Sequence, residues 1–220
     1  MSKQQLVQLM ESVESLNYQA LIAIHKRSEE LGVQPSESFI KSLEFEKGKI
    51  DNLIYLKNLG FKLKGSIELG LFEIVRSTSA KLIDLLTMLV GVCFIFFLPL
   101  TWNSITLIIN DGLSFSTLVS LIATLTIGIL GITLFSKAVN RIAEYWNIGI
   151  IKDSNGLIIR KSGKEYVESR LGSDFLDVSY GENKTVLNYI VNEEKVSLIN
   201  SVGGVKQKLT IERLQKLLST

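Results

Sequence analysis

Leu82-Ile-Asp-Leu-Leu-Thr-Met-Leu-Val-Gly-Val-Cys-Phe-Ile-Phe-Phe-Leu-Pro-Leu-Thr-Trp102 decides the fold class, and residues 113–135 repeat its message. Residues 82–136 hold no Lys or Arg, and only Asp84 and Asp111 as acids. About 20 apolar residues span the ~30 Å hydrocarbon core of a bilayer. Two such runs predict a transmembrane hairpin, with spans at about 82–102 and 113–135. Soluble core helices seldom run so long without a charge.

The flanks are ordinary in charge. Residues 1–81 carry 11 basic and 10 acidic groups, and residues 137–220 carry 13 and 10. The whole chain is 46% hydrophobic with a net charge of +2, so its positive mean hydropathy comes from the central block. So small a net charge, without a basic cluster, argues against nucleic acid as a partner. The lipid bilayer is the partner expected.

Arg76 and Lys81 precede the first span, Lys137 and Arg141 follow the second, and the connection has no basic residue. The positive-inside rule therefore predicts both termini in the cytoplasm and a multi-pass protein of the cell inner membrane. Lys81, Lys137 and Arg141 are expected at one membrane interface, and Trp102 at the other. Asp84 is the one acid within either span, one turn from its cytoplasmic end, and is expected to snorkel to the headgroups. Pro99 marks a stop or kink. Gly91, Gly128 and Gly131 are candidates for close helix packing. The connection 103–112 is expected to lie along the outer interface.

Before the spans, Ser2 and Gln5 have capping-box spacing, and Leu6, Leu9, Val13, Leu16, Ala20 and Ala23 form a stripe. One helix is predicted, ended by Gly32 and Pro35. A second is predicted from about Ser36 to Leu59, and a third from near Ser66 into the membrane. For the last, the alternation of Ile67, Leu69 and Leu71 also suits a strand. The chain opens on a polar helix without an early apolar region, so insertion is expected to rest on the internal segments.

After the spans, a helix is predicted to continue to Trp146, and the period then shortens to that of strands. Asp153-Ser-Asn-Gly156 predicts a hairpin. Strands are predicted at 175–180, 185–191 and 195–201, with a turn at Gly203-Gly204 and a final helix capped by Thr210. Ser162-Gly-Lys-Glu165 reads as a capping box opening a short helix that stops before Gly172. It fails as a phosphate loop, since Ile158 and Glu165 stand where that motif needs Gly and Ser or Thr. Arg160, Lys161 and Lys164 near this helix start are the candidate ligand-binding residues, for a small anionic ligand or a protein.

The fold class expected is thus an α-helical membrane protein with two transmembrane helices. Residues 1–80 form a cytosolic helical region, 81–136 the hairpin, and 137–220 a small α+β cytosolic domain. One His (His25) and one Cys (Cys93) leave no basis for a zinc site or Cys–His catalysis, and no cofactor or catalytic residue is expected. Richness in Ile, Lys, Asn and Ser suits a bacterial or phage gene. The expected function is non-enzymatic: anchoring cytosolic modules as a membrane scaffold or assembly factor, as a homo-oligomer. Two alternatives stay open. One is a regulated membrane effector of the antiviral defence, exclusion or immunity type, whose C-terminal domain senses a ligand or partner. The other is a membrane-bound enzyme.

Overall fold

The computed structural model describes residues 2–13, 16–168 and 174–220. Their strands pair as a five-stranded sheet in the order β1-β2-β3-β4-β5 and a three-stranded sheet β6-β7-β8. The strands are β1 (Phe61–Ser66), β2 (Leu71–Arg76), β3 (Gly149–Asp153), β4 (Gly156–Lys161), β5 (Lys164–Glu168), β6 (Leu176–Tyr180), β7 (Lys184–Val191) and β8 (Glu194–Val202). The chain divides into two compact units: Met1–Ile74, Ile150–Ile158 and Val167–Thr220 in one, Val75–Gly149 and Ile159–Tyr166 in the other. The two ends of the chain thus fold together, where hydropathy separates them.

In this first, terminal unit, α1 (Lys3–Glu11) begins with the expected Ser2–Gln5 capping box. The single helix read onward from it is two: α2 (Tyr18–Leu31) restarts after Asn17, whose side chain accepts from the Ala20 N–H. Each helix sets its own phase, so the stripe moves. Leu6, Met10, Tyr18, Leu21 and Ile24 are buried with Phe39 and Ile50, whereas Ala23 is exposed. Helix α3 (Glu37–Asp51) is shorter than expected, because Leu53 turns left-handed (φ 55°) and a 3₁₀ turn, Ile54–Leu59, follows.

The predicted helix from Ser66 is a β-hairpin instead. Phe72 and Ile74 of β2 are buried, so alternation wins, but in the phase opposite to that of Leu69 and Leu71. Gly65 fixes the pairing: its φ is +91°, and a Cβ there would lie 2.4 Å from the Leu71 carbonyl. Lys64 and Glu73 face each other across the strands at 3.0 Å.

Strands β6–β8 form an antiparallel meander within two residues of the predicted bounds. Leu187 pairs with Ile199 and Asn188 with Ser197, which leaves Leu198 as a bulge residue. That bulge explains why the consecutive Leu198 and Ile199 are both fully buried. Helix α7 (Val205–Ser219) starts at Gly204 rather than at Thr210. Thr210 lies inside the helix, fully buried, with its hydroxyl donating to the Lys206 carbonyl at 2.7 Å. The helix ties the unit together: Arg213 pairs with Asp51 at 3.3 Å, and Gln215 donates to the Leu176 carbonyl at 2.9 Å.

The other unit is dominated by α4 (Thr78–Ile95), α5 (Leu98–Asp111) and α6 (Phe115–Tyr145). Pro99 stands in the first turn of α5, where a missing N–H is harmless, so α4 breaks at Phe96–Phe97 and resumes. Together α4 and α5 reach Asp111. The expected connection over 103–112 is therefore mostly helix, and the turn to α6 holds only residues 112–114. Helix α6 runs past the second apolar stretch to Tyr145. Both helices are long and apolar enough to cross a membrane, 34 and 31 residues respectively.

The hairpin at Asp153-Ser-Asn-Gly156 is present, joining β3 to β4. The capping box read at Ser162 is not. Ser162 (φ 50°) and Gly163 (φ 77°) form a left-handed pair, and such pairs suit a tight hairpin turn, here from β4 into β5. The proposed end of that helix, before Gly172, lies outside the described residues.

Candidate functional site

Each unit holds a cluster of charged groups joined by more than two side-chain contacts. The first sits at the base of the α4–α6 pair. Ser77 caps α4 through the Ala80 N–H, which turns the chain from β2 into the helix two turns before Asp84. Asp84 is not at the surface: its side chain is 2% exposed. Arg76 at the end of β2, 4% exposed, donates from Nη2 to Asp84 Oδ2 at 2.8 Å. Arg141 of α6 brings Nε within 3.1 Å of Oδ1 and stays half-exposed. The expected snorkelling gives way to an ion pair: two guanidinium groups flank the carboxylate, and Oδ2 accepts the hydrogen bond while Oδ1 is met by the Arg141 charge alone.

Aromatic rings complete this collar. The Arg76 guanidinium stands 5.5 Å from the Tyr145 ring centroid, and the Lys161 amine 5.6 Å from it. Lys81 stands 5.0 Å from the ring of Trp146. Each ring face attracts a cation, more strongly where water is excluded. Burial lowers the Lys161 pKa, against the opposing pull of Glu144.

Higher in the pair, the glycines bring backbones together. A Cβ on Gly91 would lie 2.7 Å from the Phe135 nitrogen and 3.0 Å from the Gly131 carbonyl. One on Gly131 would lie 2.7 Å from the Ile95 nitrogen. Gly128 meets only a side chain, that of Leu98, at 2.2 Å. The Thr87, Thr124, Thr126 and Thr133 hydroxyls donate to carbonyls four residues back in their own helices, at 2.7–2.9 Å. Ser104 and Ser120 hydrogen-bond across α5 and α6 at 3.1 Å.

The residues singled out by sequence are dispersed. Arg160 pairs with Glu165 across the β4–β5 turn at 2.6 Å, Lys161 faces Tyr145, and Lys164 is exposed. With no helix start among them, they do not converge on one anion. Lys81 and Arg141 belong to the collar, while Lys137 is exposed on α6. Trp102 is 67% exposed, but nine residues before the end of α5 rather than at its tip. Sequence reading missed the Asp84 pairing. Its signal was there: a lone acid in an uncharged run, with basic residues just outside both spans.

The second cluster lies in the terminal unit. Glu46 of α3 accepts from Lys49 at 2.9 Å on one oxygen, and from Tyr55 at 2.5 Å and Lys206 at 2.6 Å on the other. Burial pushes its pKa up, but the bonds from Lys206, Tyr55 and Lys49 outweigh this and hold it at about 2, against an ordinary 4.5. A depressed carboxylate contributes stability above its unfolded pKa and loses it as pH falls toward the folded value. At 16% exposure, that contribution is roughly 3 kcal/mol. Unfolding free energy should therefore fall between about pH 4.5 and pH 2, and Glu46→Gln should flatten the decline. Denaturant unfolding of the detergent-solubilised chain across that range measures it; equal slopes in both proteins would refute the assignment.

Among the described residues, no group of three or more His, Cys, Asp or Glu is placed to hold a metal ion. Compared with protein-family models, curated proteins and solved structures, the chain matches none of them.

Proposed function

We propose that this chain is a two-span membrane anchor that holds its terminal unit at the cytoplasmic face of an inner membrane, as a non-enzymatic scaffold or assembly factor. The observation that carries the reading is the outward face of the helix pair. Only 11% of the most apolar stretch of each long helix is buried, and Leu82, Ile83, Leu89, Phe96, Ile122 and Ile129 are all exposed. A soluble core helix hides such side chains; a lipid-facing one displays them.

The inward face supports an anchor rather than a conduit. Backbone contact at Gly91 and Gly131 closes the seam, and its hydroxyls are occupied within the pair. Dedicated ion paths carry intramembrane charges, and the Asp84 charge is already held between Arg76 and Arg141. Gly91 and Gly131 pack α4 on α6, and Leu6, Met10, Tyr18, Leu21 and Ile24 fill the core of the terminal unit. The anchor reading does not require the expected homo-oligomer.

Topology reporters test it. A reporter active only outside the cytoplasm should signal when inserted at Gly112 and stay silent at Met1 and Thr220. The chain should also stay in the membrane fraction after alkaline extraction. Release into the alkaline supernatant, or a signal from either terminus, would overturn the reading.

A further inference from the structure

The base of the α4–α6 pair carries more positive charge than its own contacts use. Asp84 stands between Arg76 and Arg141, so the three groups together keep one positive charge. Arg141 presents Nε to the carboxylate, its side chain is 50% exposed, and its two Nη groups donate to no described residue. Lys137 is exposed and pairs with no described residue. Lys81 stands over the Trp146 ring, which attracts the amine without cancelling its charge. Glu144 is the one carboxylate of α6, and its charge acts on Lys161.

Lys137 and Arg141 lie one turn apart on the same face of α6, where side chains at i and i+4 are neighbours. The ion pair to Asp84 holds Arg141 in place, which lowers the side-chain freedom a ligand would have to remove. Its open Nη pair is a planar fork that suits a phosphate, and the Lys137 amine adds a point charge beside it. Apolar side chains stand at the same level. Val139 lies between the two cations in sequence and is 38% exposed, and Ile83, next to Asp84 on α4, is 55% exposed. A free phosphate would gain nothing from that surface, whereas a phospholipid can lay an acyl chain on it.

We infer that Lys137 and Arg141 form a site for the headgroup of an anionic phospholipid, with the phosphate on the Arg141 fork and the Lys137 amine, and the acyl chains along the helix pair. Basic groups beside membrane helices on the cytoplasmic side attract such headgroups. The inference rests on the anchor reading, which sets this end of the pair at headgroup level, and it names the class of lipid the anchor selects.

The test measures retention of radiolabelled phosphatidylglycerol and phosphatidylcholine by the full chain, immobilised in nonionic detergent, by scintillation proximity. Saturable binding of phosphatidylglycerol is expected, tighter than that of phosphatidylcholine by about five-fold or more, the scale of one cation beside an anionic lipid. Lys137→Gln and Arg141→Gln should each weaken phosphatidylglycerol about three- to five-fold and leave phosphatidylcholine unchanged. Lys137 has no described partner to lose, so its variant keeps the fold. Lys137→Arg, which keeps the charge, should bind as the parent does, and so should Lys41→Ala, which removes an exposed partner of Glu37 on α3. Inorganic phosphate at the ionic strength of a chloride control should not displace the lipid; displacement would assign the site to free phosphate and overturn the inference. Equal affinity for the two lipids, or phosphatidylglycerol affinity unchanged in both Gln variants, would overturn it as well. Alkaline extraction tests the anchor reading by itself, so a chain that stays in the membrane without a lipid preference loses only this inference.

Discussion

Asp84→Ala is expected to destabilise the helix-pair unit by about 3–5 kcal/mol, the usual cost of breaking a buried ion pair by removing one of its members. Arg76 would bear that cost, since its side chain is 4% exposed and cannot swing into water without moving the end of β2. The Tyr145 ring remains at 5.5 Å, but a cation–π contact of about 0.5–2 kcal/mol does not replace an ion pair. Arg141→Ala should cost far less, roughly 1 kcal/mol or under, because Arg141 is half-exposed and Arg76 still neutralises the carboxylate. Removing both buried charges together, as in Arg76→Met with Asp84→Leu, should recover much of the loss. Unfolding in detergent, followed by circular dichroism over the four proteins, gives the ranking. Asp84→Ala as stable as the parent would show that the pair is no lock.

Gly91→Ala should be the next most damaging change, at about 1–3 kcal/mol, the range for overpacking a tight contact. The new methyl group would sit 2.7 Å from one backbone atom of α6 and 3.0 Å from another, and backbone cannot step aside as a side chain can. Gly131→Ala meets the Ile95 nitrogen at the same 2.7 Å and should behave alike. Gly128→Ala is the informative control. Its methyl group approaches more closely still, 2.2 Å, but the atom it meets is the tip of Leu98, which can change rotamer. Nearest distance alone ranks Gly128 worst; the nature of the neighbour ranks it mildest. Disulfide crosslinking between cysteines placed on α4 and α6 would report the separation, with the native Cys93 replaced by Ser. Equal crosslinking yield in Gly91→Ala and the parent would mean the helices tolerate the extra atoms.

Sequence alone determined what depends on composition and short spacing. Two long apolar helices follow from uninterrupted runs, the break at Pro99 from a missing N–H, and strands β6–β8 from alternation bounded by turn residues. The hairpin at Ser154-Asn155 followed from its turn residues in the same way. Two of the misreadings fall where two local codes overlap and the folded chain chooses between them. Residues 66–76 carry both periods, and burial of Phe72 and Ile74, with Gly65 against the Leu71 carbonyl, places them in a hairpin. Ser162-Gly-Lys-Glu165 spells a capping box, yet a left-handed pair at Ser162 and Gly163 makes it a turn.

The sites belong wholly to the tertiary level. Asp84 meets Arg76 and Arg141 only after β2, α4 and α6 are placed, across separations of 8 and 57 residues in sequence. Glu46 meets Lys206 only because the two ends of the chain share one core. Hydropathy records whether a residue leaves water, and that is a local property. It carries no record of which distant charge awaits a buried one, because pairing energy depends on a distance that only the folded chain sets.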